Sequence, residues 1–520
     1  MDQTYESRDR QLTISKGRTA ALTGIEQHIG TPLLQAASGA GQRVKAVNQV
    51  LVAGSYEAVA EVLALGSRLG LPMAVRPSFT NTACWPSRTP APGLSSASKD
   101  AATASNRLQG EDGFSSPPAP VTHPWHPIPG GITAPGGFQA AAVTAGLKAS
   151  GKPDLSLLLA PEGAVCAGTF TTSVVRAACV DLCSERLAAC GGHARAVLTN
   201  SGQANACTGD RGLIDSLRAT QAVADRLGLA PEEVLICSTG VIGVPIPMGT
   251  LLAGLDPLVA ALSPEGGAAA ATAILTTDLV AKQIALEADL GGRNVRIGGM
   301  AKGSGMIHPN MATMLGYLSC DAGVPAEVWQ AMVRRAVDRS FNAITVDGDT
   351  STNDTFLAFA AGELLSHEHF EALEAGLTAV SQHLAKAIAR DGEGATCLIE
   401  VQAQGAADDA GARAIARTVC GSSLVKCAVH GRDPNWGRIV AAAGRAGVPF
   451  AADLVALWLG EHQLMAAGQP LAFDRAAAST YLQSDTVIIR LVVGDGAGTG
   501  VAWGCDLSAQ YVRINADYTT

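Results

Sequence analysis

From Gly130 onward the chain alternates short apolar runs with longer Ala-rich amphipathic ones, and that alternation restricts it to an α/β architecture. The runs "SLLLA", "ARAVLTN" and "EVLICSTG" are predicted to be strands, because they are short, apolar and bounded by turn residues. By contrast, "RGLIDSLRATQAVADRLG" and "PAEVWQAMVRRAVDRSF" space their apolar residues as one face of a helix. Near the C-terminus, "TVIIRLVVGDGAGTGVAWGCDL" has two apolar β runs around a glycine-rich stretch. A dinucleotide loop would open a helix whose N-terminus receives the phosphates; a second strand follows here instead, so the stretch is predicted to be a hairpin turn.

Residues 79–129 supply Pro, Ser, Gly and Ala with neither helical nor strand periodicity, and read as a linker. The expected organisation is an N-terminal extension (1–78), this linker (79–129) and a long body from residue 130. The extension holds one amphipathic helix, Ser55–Gly70, and an apolar strand, "PMAVR", running into "PSFT". This pair is similar to a fragment of the ATP-grasp region of carbamoyl-phosphate synthetase large chains. The fragment stops before the glycine-rich loop that would cover ATP phosphates, so no nucleotide site is expected in it.

A formal net charge of -9 without any run of Lys or Arg argues against a nucleic-acid partner and for small molecules or proteins. No stretch approaches the roughly 18 consecutive apolar residues that a membrane span needs. Twelve cysteines are scattered without a CxxC pair or a secretory signal, as expected for reduced thiols in the cytoplasm or in a mitochondrial or plastid matrix. The tightest group, Cys179, Cys183 and Cys190, lacks the second ligand pair of a zinc module and reads as core; no metal is expected.

The stretch Gly298–Leu315, "GGMAKGSGMIHPNMATML", gathers small residues around one Lys, one His and one Thr in a run expected to be neither helix nor strand. Small residues allow backbone to approach a reactive atom closely. Further phrases occur in order: "NSGQANACTG" (Asn200–Gly209), "STGVIGVPIPM" (Ser238–Met248), "TTDLVAK" (Thr276–Lys282), "DGDTSTND" (Asp347–Asp354), "DGEGAT" (Asp391–Thr396), "GRDPNWGRI" (Gly431–Ile439) and the terminal "YVRINADYTT" (Tyr511–Thr520). Together they resemble the ornithine acetyltransferases, the family of the arginine-biosynthesis bifunctional protein, from about Gly130 to the last residue.

The resemblance implies a layered, sandwich-like α/β body of the ornithine acetyltransferase/aminopeptidase type. It implies self-cleavage between Ala312 and Thr313 into an α chain (130–312) and a β chain (313–520), assembled as an α2β2 heterotetramer. It also implies acetyl transfer from N-acetylornithine to glutamate through an acetyl ester on Thr313. The chemistry is coherent: a Thr hydroxyl needs a base, and cleavage frees an α-amine with a reference pKa of about 7.7–8.0 that can serve as one. The family assigns the oxyanion donors to Thr239 and Gly240, and substrate contacts to Thr276, Lys302, Thr313, Glu393, Asn515 and Thr520. Lys302 suits a carboxylate and Glu393 an ammonium. No cofactor is implied, and the sequence leaves open acetyl-CoA as a second donor. His308, five residues before Thr313, reads as a packing or hydrogen-bonding residue, since the terminal amine supplies the base. The chain departs from the family at Leu279, where a Thr is usual, and at Cys397, where a Lys is usual. An aminopeptidase or amidase on the same fold, or a protein that kept the fold without processing, are the alternatives.

Overall fold

The computed structural model describes residues 124–308 and 314–517. The extension, most of the linker, and the expected site positions Ala312, Thr313 and Thr520 lie outside the described residues.

Two sheets stack to form the body. The first has four strands in the order β2-β3-β5-β6: β2 (Gln139–Val143), β3 (Leu155–Leu159), β5 (Ala196–Gln203) and β6 (Val234–Val241). The second has six in the order β1-β7-β8-β9-β11-β4: β1 (His126–Ile128), β7 (Lys282–Asp289), β8 (Asn294–Lys302), β9 (Leu315–Cys320), β11 (Thr355–Ala360) and β4 (Val165–Phe170). Strand alternation explains the stacking. On β11, Phe356, Ala358 and Ala360 face helices α3 (Ala326–Asp338) and α4 (Phe370–Arg390), whereas Leu357 and Phe359 face the four-stranded sheet. Every β9 and β11 residue is therefore buried. The outer face of the four-stranded sheet is covered by α1 (Ala178–Ala189) and α2 (Asp210–Leu227). The result is a helix–sheet–sheet–helix sandwich, as the sequence led us to expect. Along α4 the residues Leu373, Leu377, Val380, Leu384 and Ile388 recur every three or four positions and form its buried stripe.

A third sheet of seven strands follows the order β10-β17-β12-β16-β13-β14-β15. Its members are β10 (Ile344–Thr345), β12 (Leu398–Ala406), β13 (Ala456–Leu459), β14 (His462–Ala466), β15 (Gln469–Pro470), β16 (Thr486–Val492) and β17 (Gly498–Cys505). Helices α5 (Asp409–Cys420), α6 (Ser423–His430) and α7 (Trp436–Gly444) contribute to the core on it. The chain closes in α8 (Ala509–Asp517).

Three sequence expectations need correction. First, β16 and β17 are not a hairpin: β12 lies between them, parallel to β16 and antiparallel to β17. The glycine-rich stretch crosses the end of β12, and a Cβ on Gly496 or Gly498 would fall 2.1 or 2.2 Å from the carbonyl oxygens of Ala406 and Asp408. Its glycines serve a backbone crossing. Second, the body begins before residue 130. Trp125 is buried, its Nε1 donates to the Ala372 carbonyl at 2.7 Å, and β1 pairs with β7 from His126↔Glu287 to Ile128↔Ala285. Pro127 hid this strand, but an edge strand tolerates a missing N–H. Third, Gly298–Lys302 is the end of β8 rather than irregular chain. Small side chains masked its periodicity, and Gly298 needs to be small because a Cβ would meet the Gly131 carbonyl oxygen at 2.0 Å.

Candidate active site

At one end of the sandwich several strand ends converge. Thr239 and Gly240 close β6, Lys302 closes β8, and its register partner Leu315 opens β9. The loop carrying Asp347, Asp349 and Asn353 leads into β11, Glu393 follows α4, and Tyr511 and Asn515 project from α8. Together with Thr276, all of these residues except Leu315 line a cavity of about 120 Å³. Six sequence-selected residues, Thr239, Gly240, Thr276, Lys302, Glu393 and Asn515, thus border one space.

Gly240 shows why this sequence was needed locally. Its φ is +130°, and a Cβ there would lie 2.3 Å from the Gly202 carbonyl carbon across the parallel β5–β6 pair. Only glycine fits both the dihedral and the approach.

The walls of the cavity differ in charge. On one side the Lys302 ammonium reaches the Thr276 hydroxyl at 3.3 Å. Burial pulls Lys302 below the usual lysine value, and Asp278, Asp354 and Glu393 oppose that pull. On the other side Glu393, only 7% exposed, accepts from Asn515 Nδ2 at 2.8 Å. Asp347 stands nearby, accepting the backbone N–H groups of Met306 at 2.6 Å and Ile307 at 2.9 Å. Burial raises its carboxyl above the usual range despite those donors. The Tyr511 phenol is pushed up by burial and then by Asp347, Glu393 and Asp349. A zwitterion with its carboxylate at Lys302 and its ammonium at Glu393 matches this polarity. Neither Lys302 nor Glu393 is a solvated surface charge.

Beneath the cavity lies an ion cluster that sequence reasoning missed. Lys282 Nζ donates to Asp278 Oδ1 and to Asp391 Oδ2, each at 2.6 Å, with both Lys282 and Asp278 side chains fully buried. Asp278 also accepts the N–H groups of Gly303 at 2.6 Å and Thr276 at 3.1 Å. Asp391 accepts Leu279 N–H at 3.1 Å, and its carbonyl accepts the Ser304 hydroxyl at 2.7 Å. For Asp278, burial pushes the carboxyl up, but Lys282, Lys302 and the hydrogen bonds outweigh it and hold it below the usual range. One lysine thereby ties the segments bearing Thr276, Lys302 and Glu393. The signal was present, since Asp278 and Lys282 sit in the phrase "TTDLVAK" and Asp391 in "DGEGAT"; nothing local revealed that the two phrases meet.

His308 does not line the cavity. Its Nδ1 lies 3.0 Å from Thr345 Oγ1, and burial, followed by Arg417, lowers its pKa. Of the two departures from the family pattern, Leu279 is 81% exposed, while Cys397 is buried with its thiol pushed up to about 12, chiefly by burial. Cys179 and Cys183 are buried core residues. Among the described residues there is no group of three or more His, Cys, Asp or Glu arranged to hold a metal, and no helix is long and apolar enough to cross a membrane.

Comparison with known proteins adds the following. The model of the ArgJ family matches residues 139–520. A second family model, described as NAD-binding of NADP-dependent 3-hydroxyisobutyrate dehydrogenase, matches residues 39–84, which overlap the stretch resembling carbamoyl-phosphate synthetase. Both readings of that stretch fall outside the described residues. The arginine biosynthesis bifunctional protein ArgJ of Prochlorococcus marinus (strain MIT 9313) is 74% identical over 423 residues, 79% of this chain and 99% of the relative. The protein of the same name from Parasynechococcus marenigrum (strain WH8102) is 75% identical over 397 residues, 76% of this chain and 97% of its own. The crystal structure of an arginine biosynthesis bifunctional protein from Bacillus halodurans is 41% identical, with a TM-score of 0.39, over 40% of this chain and all of that one.

Proposed function

The chain belongs to the ArgJ family, and on that premise we propose a division of labour among its residues. The protein is an acetyltransferase of arginine biosynthesis that moves acetyl from N-acetylornithine to glutamate. The observation that carries the residue assignment is the convergence of Thr239, Gly240, Thr276, Lys302, Glu393 and Asn515 on one cavity.

In the proposed sequence of events the Thr313 hydroxyl adds to the Ala312 carbonyl and the peptide C–N bond breaks, giving an ester and a free Thr313 amine. Water then cleaves the ester, leaving a carboxylate on Ala312 and restoring the hydroxyl. In turnover, the amine takes the hydroxyl proton as oxygen attacks the acetyl carbon, then passes it to the departing ornithine nitrogen. Glutamate's amine attacks the resulting acetyl ester and its proton returns to the Thr313 oxygen. Thr239 and Gly240 supply hydrogen-bond donors for the charge on each tetrahedral intermediate, where losing one donor typically costs on the order of 100–1,000-fold in rate. Lys302 and Thr276 receive the substrate carboxylate; Glu393, steadied by Asn515, receives the ammonium. Thr520 is the remaining substrate contact of this reading. None of these steps calls on a cofactor.

The test is an intact-mass spectrum of the purified protein, then of protein incubated briefly with N-acetylornithine. The expected result is a cut before Thr313 and one acetyl group on the β-chain N-terminal residue, removed by glutamate. An uncut chain, or label on His308 or a cysteine, would overturn the mechanism. Label after incubation with acetyl-CoA alone would add that donor. Assembly as α2β2 in the cytoplasm is part of the same reading, and native mass spectrometry checks the stoichiometry.

A further inference from the structure

Asn353 lies in "DGDTSTND", just before β11, and is 6% exposed. Its Nδ2 donates to the Ala204 carbonyl at 2.5 Å and to the Ser238 carbonyl at 2.8 Å, while its Oδ1 accepts the Thr352 hydroxyl at 2.6 Å. Both amide hydrogens are thus directed at backbone. The Ser238 carbonyl belongs to the peptide that leads directly into Thr239, and β6 is the edge of its sheet, with β5 on one side alone. Asn353 approaches from elsewhere and gives that carbonyl a partner, while the Ser238 hydroxyl donates to Asn200 Oδ1 at 2.6 Å. Because a trans peptide is planar, fixing its carbonyl fixes the direction in which the next residue starts.

We propose that Asn353 is a positioning residue for acyl transfer: by holding the Ser238 carbonyl it aims the Thr239–Gly240 donors at the carbonyl under attack. This rests on the oxyanion reading of Thr239 and Gly240 given above. Ala204, whose carbonyl takes the other hydrogen, lines the same cavity, as does Asn353 itself. The neighbouring residue extends the device. The Asp354 carboxyl, 3% exposed, accepts the Met314 N–H at the head of β9, and the Thr355 N–H donates to the Met314 carbonyl at 3.0 Å. Adjacent side chains on one backbone therefore grip the end of β6 and the start of β9. One dipeptide thus contacts both the strand end that carries Thr239 and Gly240 and the start of β9. Asn353 follows the proposed cleavage point and Ser238 precedes it, so this contact joins the two stretches that processing separates. A preorganised donor is effective because it needs no reorganisation when charge develops.

The experiment compares N353A, T239A and the double variant as purified, cleaved proteins, with active sites counted from the first-turnover release of ornithine. N353A is expected to lower kcat per active site by about 10–100-fold, less than outright removal of a donor, with KM for N-acetylornithine changed by less than about twofold. The double variant should be no slower than T239A, because groups acting as a unit are non-additive. Normal kcat in N353A beside a slow T239A would overturn the positioning role and leave the oxyanion reading standing. Normal kcat in T239A would remove that reading itself. If N353A yields no cleaved protein, N353S, which keeps one short donor, is read in the same way. Failure of both to fold would make Asn353 purely structural and overturn the proposal.

Discussion

Replacing Lys282 by Met tests whether the buried ion cluster organises the site. Lys282 Nζ is 2.6 Å from each of Asp278 and Asp391, and the side chains are 0%, 0% and 7% exposed. Water cannot compensate the two carboxylates once the cation is gone, and the more distant ammonium groups of Lys302 and Lys148 are what remain near Asp278. Removing one partner of a buried pair costs about 3–5 kcal/mol. A comparable drop in the free energy of unfolding, read from urea midpoints, is expected for K282M at pH 7.5. Function should suffer too, because Asp278 holds the N–H groups of Gly303 and Thr276. Loosening one charged hydrogen bond of about 1.5–3 kcal/mol corresponds to roughly 10–100-fold in KM for N-acetylornithine. The sign of the pH effect discriminates further. In the wild type the Asp278 carboxyl is held below its ordinary value of 3.8, so its contribution is present above that pH and lost as pH falls through the folded value. In K282M burial dominates at Asp278 and raises its carboxyl, so the folded state takes up a proton and the deficit should narrow as pH falls from 8 to 5. D391N in the K282M background removes one charge yet keeps an acceptor for Leu279 N–H, and should recover much of the loss. Equal midpoints and equal KM in K282M and wild type would refute the reasoning.

Chains beginning at residue 124 and at residue 130 should behave differently. The first should be as stable as the full chain, while the second loses Trp125 and β1, and burial of one tryptophan is worth about 3–5 kcal/mol; thermal melts of both, and of W125A, check this. Lys148 is pulled down to about 8, chiefly by burial, and its Nζ donates to the carbonyls of Pro153, Ala273 and Leu275. As pH rises through about 8 the ammonium becomes an amine with two hydrogens for three carbonyls, so KM for N-acetylornithine should climb as the segment before Thr276 loosens. K148M should start with the higher KM and lack that climb in a pH–KM profile. G240A should lose acetyl transfer by at least 100-fold, since both its dihedral and Gly202 exclude a Cβ, and steady-state assay of soluble protein reads it. T313A should remain one chain and inactive, whereas T313S should cleave and keep reduced activity, because losing the methyl frees rotation about the side-chain bond; a denaturing gel and a coupled assay separate the two.

The strands and helices with clear periodicity were legible in the sequence. The apolar "EVLICSTG" forms β6, and "PAEVWQAMVRRAVDRSF" contains α3, because a buried strand or a one-faced helix writes its environment into its own residues. The site residues became legible through ordered phrases, since each phrase carries both its chemistry and the backbone constraint that presents it, as at Gly240. Where side chains were small or proline intervened, at Gly298–Lys302 and His126–Ile128, local pattern was silent and sheet pairing decided. Tertiary structure alone placed β12 between β16 and β17, because strand order depends on long-range register that adjacent apolar runs do not encode. It alone brought Lys282 to Asp391, and Asn353 to Ser238, across 109 and 115 residues of chain. A charge or amide is written in the sequence only as a residue type; its partner, and hence its burial, pKa and role, exists only once the fold has closed around it.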